Sequence, residues 1–114
     1  MLLFRLILIA MIVIILVYTG LVGVVHGWDL LNVFFHDIAA MKWPGQFNVD
    51  FSGFLLLSAL WTMWRNNFSP LGFALGIVAF FGGIMFLAPY LLILSFKTGG
   101  DMREILLGRE RTEA

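Results

Sequence analysis

Long apolar runs alternate with short polar intervals along the 114-residue chain. The first run, Leu6 to Val25, is twenty residues of mostly Leu, Ile and Val with no charge. A helix of that length rises about 30 Å, the thickness of the hydrocarbon layer of a bilayer. Arg5 flanks it and can snorkel to the headgroups. Gly20 and Gly23 fall in its last turns, where they either give a neighbouring helix room to approach or merely loosen the helix end.

His26-Gly27 closes this helix, and Asp29 is placed to cap another. From 29 to 42 the periodicity changes. Leu30, Leu31, Phe34, Phe35, Ile38 and Met41 share one helical face, with Asp29, Asn32, His36 and Ala40 opposite. The segment is too short and too polar to span. It predicts an amphipathic helix in the membrane interface, with Trp28 and Trp43 at headgroup level and Pro44-Gly45 as its stop.

The second run is Phe47 to Trp64, with Asp50 in its first turn and Trp61, Trp64 and Arg65 marking the far interface. Only Arg65 to Ser69 separates it from the third run, so these two helices are expected to be antiparallel neighbours. Ser69-Pro70 is a good helix start. The third run, 70 to 96, is about 40 Å long if straight, and must tilt or bend. Pro89 supplies a reason to bend, because its ring clashes with the carbonyl of Met85. Gly72, Gly76, Ala79 and Gly83 make a small-residue stripe, the chain's strongest helix-packing signal.

Gly99-Gly100 ends the run, and Asp101 to Glu104 has the form of a capping box. A short amphipathic turn through Leu107 follows, with Met102, Ile105 and Leu106 inward. Residues 109 to 114 read as a disordered tail. The pattern therefore predicts an all-α integral membrane protein: one domain, 1 to 108, with spans at 6–25, 47–64 and 70–96 and an interfacial helix at 29–42.

Composition agrees. The chain is 61% hydrophobic and 12% charged, against about 25% charged in ordinary soluble domains. A chain this small cannot hide so much apolar surface from water. Seven basic and seven acidic residues cancel, and no basic cluster suited to nucleic acid is present. The absence of cysteine excludes disulfides and thiolate chemistry. Gly-Val-Val-His-Gly after the first run is a poor signal-peptidase site, which favours a retained helix.

Three spans would put the 26–50 loop and the C-terminal tail on one side, with Lys42, Lys97, Arg103, Arg109 and Arg111. Arg5 and Arg65 would lie on the other. The positive-inside rule then predicts a cytoplasmic loop and tail.

Candidate chemistry gathers between His26 and Asp50. Asp29, Asn32 and His36 stack on one helical face, and imidazole beside carboxylate suits proton transfer or metal binding. The solvated face of an interfacial helix explains the same pattern more simply. His26 and His36 lack the spacing of a helical zinc pair, so neither a metal site nor a cofactor is expected. Asp50, at a helix mouth, suits either a cation site or a structural cap. No other ionisable group lies inside a span, which argues against proton-coupled transport.

Gly27-Trp28-Asp29-Leu30-Leu31 with Phe34-Phe35, Asn48-Val49-Asp50, and Pro89-Tyr90-Leu91-Leu92 resemble a family of small three-helix bacterial membrane proteins of unknown function. The likeness covers residues 27 to 94 and departs at Arg65-Asn66-Asn67, where the family pattern is acidic then basic. It implies a fold and a bacterial membrane setting, and no activity; the expected location is the bacterial cytoplasmic (inner) membrane. The leading expectation is a non-enzymatic accessory or assembly subunit that packs against another membrane protein or itself. One alternative is an enzyme or binding protein for an isoprenoid- or quinone-like lipid, with Asp29, His36 and Asp50 as polar contacts. An oligomeric pore or carrier is the other.

Overall fold

The computed structural model describes residues 1 to 113, and these contain helices and turns with no strand. Seven helices follow in order: α1 (Leu2–His26), α2 (Leu30–Ala40), α3 (Trp43–Arg65), α4 (Pro70–Gly82), α5 (Ile84–Lys97), α6 (Met102–Leu107) and α7 (Arg109–Glu113). Among them, α1 alone is both long and apolar enough to cross a membrane. α3 has the length, 23 residues, but Gln46, Asn48, Asp50 and its tryptophans dilute its apolar character.

The third expected span is not one helix. The chain breaks at Gly82-Gly83, six residues before Pro89, which stays inside α5. Gly83 has φ 55° and ψ −134°, a conformation that side chains with a Cβ avoid. The pieces contain 13 and 14 residues, a rise of about 20 Å each, short of the roughly 30 Å hydrocarbon layer. α5 doubles back on α4. Its Tyr90 hydroxyl accepts from the Asn66 side-chain amide at 2.9 Å, just before α4 begins. A straight helix from Pro70 to Lys97 would carry Tyr90 about 30 Å along its axis, out of reach of Asn66. The bend assigned to Pro89 is thus a full reversal at a glycine pair, where the backbone has the necessary freedom.

The small-residue stripe lies inside this arrangement. Gly72, Gly76 and Ala79 are buried on the face of α4 that meets α3. A Cβ on Gly76 would overlap the Met63 side chain, and one on Gly72 would lie 2.9 Å from the Cβ of Asn66. At Gly83 a Cβ would come within 3.1 Å of the Phe51 ring and 3.4 Å of Leu55. The hairpin tip therefore sits partway along α3, leaving the first turns of α3 beyond it.

α2 packs against those first turns. Gly45 is buried under the backbone of Asp37, and the Asn48 amide donates to the Phe34 carbonyl at 3.1 Å. Pro44-Gly45 does not end α2 but opens α3, with proline in the first helical turn, where its missing N–H is harmless. α2 ends instead at Ala40, through Met41 in the left-handed conformation.

α1 pairs with α5 in the opposite direction. The Arg5 guanidinium donates to the Ser95 hydroxyl at 3.0 Å and its carbonyl at 2.8 Å, and lies 4.2 Å above the Phe96 ring. Met1 reaches Gly100. The expected disordered tail forms α7 from Arg109 to Glu113, while Ala114 lies outside the described residues.

The hairpin changes which residues share an end. Met1, Arg5, Arg65, Lys97 and α6–α7 gather at one end, and His26, α2, Lys42 and Asp50 lie towards the other. The 26–50 segment and the C-terminal tail are consequently at opposite ends, not at the same one. Burial is inverted relative to a water-soluble fold. Thr62 and Ser95 are fully buried beside glycines and alanines, while Phe54 and Phe81 are 66% and 73% exposed.

Candidate functional site

At the loop end, the polar residues are carried on α2, its approach and the start of α3, and they remain apart. Asp29 occupies the N-cap position of α2 but its side chain accepts no capping hydrogen bond. Its ψ of 46° departs from the extended geometry that aims a cap at the helix. Asp29, Asn32, His36 and Asp50 are all exposed, and none makes a side-chain hydrogen bond among the described residues. No group of three His, Asp or Glu side chains there, or elsewhere in residues 1 to 113, is close enough to hold a metal ion. Trp28 and Trp43 are 70% and 72% exposed, and the Trp28 ring lies over Gly23 of α1.

The other end is built differently. Ser58, Thr62 and Asn66 recur every fourth residue, so one face of α3 is polar through its last two turns. Thr62 donates back to the Ser58 carbonyl at 2.8 Å, and the Asn66 amide donates to both the Thr62 carbonyl and the Tyr90 hydroxyl. Tyr90 stacks on Phe86 and meets the Trp61 ring edge-on at 6.0 Å.

The aromatic and cationic residues expected to mark the interface hold the C-terminal helices here. The Trp61 indole donates to the Leu106 carbonyl at 3.0 Å. Arg65 donates through Nε to the Ile105 carbonyl and through Nη2 to that of Glu104. Arg111 lies 3.8 Å above the Trp64 ring. Ile105 is fully buried, and Asp101 caps α6 by accepting from the Arg103 amide at 3.0 Å. Met102 and Leu106, expected inward with Ile105, are exposed. α6 therefore buries one apolar side chain fully, Ile105, with Leu107 half-buried, and turns several carbonyls to the bundle.

A cleft of about 330 Å³ opens beside this network, between the start of α4, the end of α5 and α6–α7. Leu71, Leu75 and Leu94 form its apolar wall, and Arg65, Lys97 and Arg109 its cationic rim. The sequence does contain signals for this end: the four-residue spacing of Ser58, Thr62 and Asn66, and a tyrosine inside an apolar run. Neither indicates a reversal at Gly83, and without that reversal Tyr90 and Asn66 lie far apart. No protein-family model matches the chain, and no curated protein or solved structure is significantly similar to it.

Proposed function

We propose that the chain is a non-enzymatic integral protein of the bacterial cytoplasmic membrane, an accessory or assembly subunit that acts by helix packing. The observation that carries this reading is the inverted burial. Apart from Leu8, Leu94 and Ile105, the buried side chains are small or carry a hydroxyl (Ala59, Thr62, Ala79, Ala88 and Ser95), and large aliphatic and aromatic ones cover the outside. Water penalises such a surface heavily, at roughly 25 cal/mol for each Å² of apolar area, and lipid does not.

α1 and α3 are the spans in this reading. The α4–α5 hairpin enters and leaves from one side, most of its backbone hydrogen-bonded within each helix and its tip packed against Phe51 and Leu55. Arg5, Arg65, Lys97, Arg103, Arg109 and Arg111 then share one side with both termini, and Lys42 stands on the other. The positive-inside rule places the termini in the cytoplasm and the 26–50 segment outside.

The Gly72–Gly76–Ala79 stripe is engaged with α3, so a partner would need another face, and the second half of α1 offers one. Tyr18, Leu21, Val24 and Val25 are exposed there, and a Cβ on Gly20 would meet nothing within 4 Å. Gentle extraction into lipid nanodiscs followed by mass measurement tests the subunit reading. A co-purifying membrane protein that is lost on Gly20→Leu supports it, and a lone monomer from native membranes contradicts it.

A further inference from the structure

We propose that the cleft beside Arg65 binds the phosphate headgroup of an anionic phospholipid, with an acyl chain lying along Leu71 and Leu75. This rests on the membrane reading above, which puts the cleft at headgroup level on the cation-rich side.

The rim is built from three elements, and each of its cations keeps some capacity for a headgroup. Lys97, at the end of α5, is exposed and makes no hydrogen bond or ion pair among the described residues. Arg65 uses Nε and Nη2 on the α6 carbonyls and leaves Nη1 uncommitted. Those two bonds also fix the guanidinium plane, so Arg65 arrives at the cleft already ordered. Arg109 pairs with Glu113 at 3.1 Å, but both side chains are largely exposed, at 80% and 67%. Such a pair contributes little and yields readily to a phosphate. Glu104 is the single carboxylate in the lining and offsets one of the three cations.

The wall argues against a small soluble anion. Leu71, Leu75 and Leu94 line its apolar side, and Leu71 is 65% exposed. A free phosphate would have no use for that surface, whereas a lipid covers it with hydrocarbon while its headgroup meets the rim. Tyr90, Asn66 and Thr98 also line the cleft, adding polar groups where the glycerol esters would lie. Basic pockets between membrane helices on the cytoplasmic side are a recurrent means of holding anionic headgroups.

The test is native mass spectrometry of the full chain in mixed micelles with equimolar phosphatidylglycerol and phosphatidylcholine. The wild type is expected to retain phosphatidylglycerol preferentially. Lys97→Gln with Arg109→Gln should cut that preference about tenfold, because two of the three cations facing the headgroup are then neutral. Glu104→Gln should raise it, an effect that a poorly folded variant cannot imitate. Equal retention of the two lipids, an unchanged preference in the double variant, or displacement by millimolar inorganic phosphate each overturns the lipid site. Washing membranes with alkaline carbonate separates the two claims. Release of the protein refutes the membrane reading itself, whereas retention with no lipid preference refutes only the site.

Discussion

The two ends of the bundle use polar residues in opposite ways. At the 26–50 end they are dense in sequence and idle in structure: Asp29, His36 and Asp50 point into the surroundings, and one bond, Asn48 to the Phe34 carbonyl, ties α2 to α3. At the other end they are sparse and engaged. Arg5, Trp61, Arg65, Asn66, Tyr90 and Ser95 join α1, α3, α5 and α6 through hydrogen bonds. Polar groups crowded in sequence mark a solvated face, whereas isolated ones within apolar runs mark joints. The joint end owes its existence to the Gly83 reversal, which brings the C-terminal third of the chain back to Arg65.

Breaking the reversal should have the largest effect. Gly83→Val forces a side chain into a φ/ψ region essentially reserved for glycine and against Phe51 and Leu55. A loss of about 3 kcal/mol or more is expected, from backbone strain of about 1–3 kcal/mol plus the clash. Thermal unfolding in detergent would register it, and an unshifted midpoint would mean the hairpin is not closed there. Arg65→Met comes next. It strips the charged donor from the Ile105 and Glu104 carbonyls and should cost about 1.5–3 kcal/mol. Limited proteolysis should then cut between Lys97 and Arg109 first, because the Trp61 bond and the burial of Ile105 are left to hold α6 without the guanidinium.

The Asn66–Tyr90 link sharpens the comparison further. Tyr90→Phe and Asn66→Ala should each cost about 1 kcal/mol. In a double-mutant cycle they should show a coupling of roughly 0.6 kcal/mol, typical of interhelical bonds in membranes. Zero coupling would detach α5 from the start of α4. The smallest effects belong to the loop end, where Asp29→Ala, His36→Ala and Asp50→Ala should each change stability by no more than about 0.5 kcal/mol. Any loss of biological activity in these variants at normal protein level would then favour the lipid-ligand alternative over the subunit reading.

Much of the local structure is legible in the sequence. The apolar length predicts α1, Ser69-Pro70 the start of α4, and Asp101 the cap of α6, with the serine side chain accepting from the Gly72 amide at 3.0 Å. Each depends on residues a few positions apart. The reversal is harder to read because two competing breakers lie in one apolar run. Proline disrupts a helix through a lost hydrogen bond, which α5 accommodates, whereas paired glycines permit a backbone that no other residue favours. Hydropathy cannot tell a straight span of 27 residues from two half-length helices folded together, since both are apolar throughout. The charge count inherits that ambiguity: with the hairpin folded back, the positive-inside rule predicts the opposite side for the 26–50 segment from the one it predicts for three straight spans.

A chain without cysteine allows the central claim to be tested directly, with single cysteines as reporters. Asn32→Cys and Glu113→Cys would be expressed separately and treated in intact spheroplasts with a membrane-impermeant maleimide. With α4–α5 folded back, Asn32→Cys labels from outside, and Glu113→Cys labels only after the membrane is opened. Labelling of both positions from the same side would contradict the hairpin and restore three straight spans.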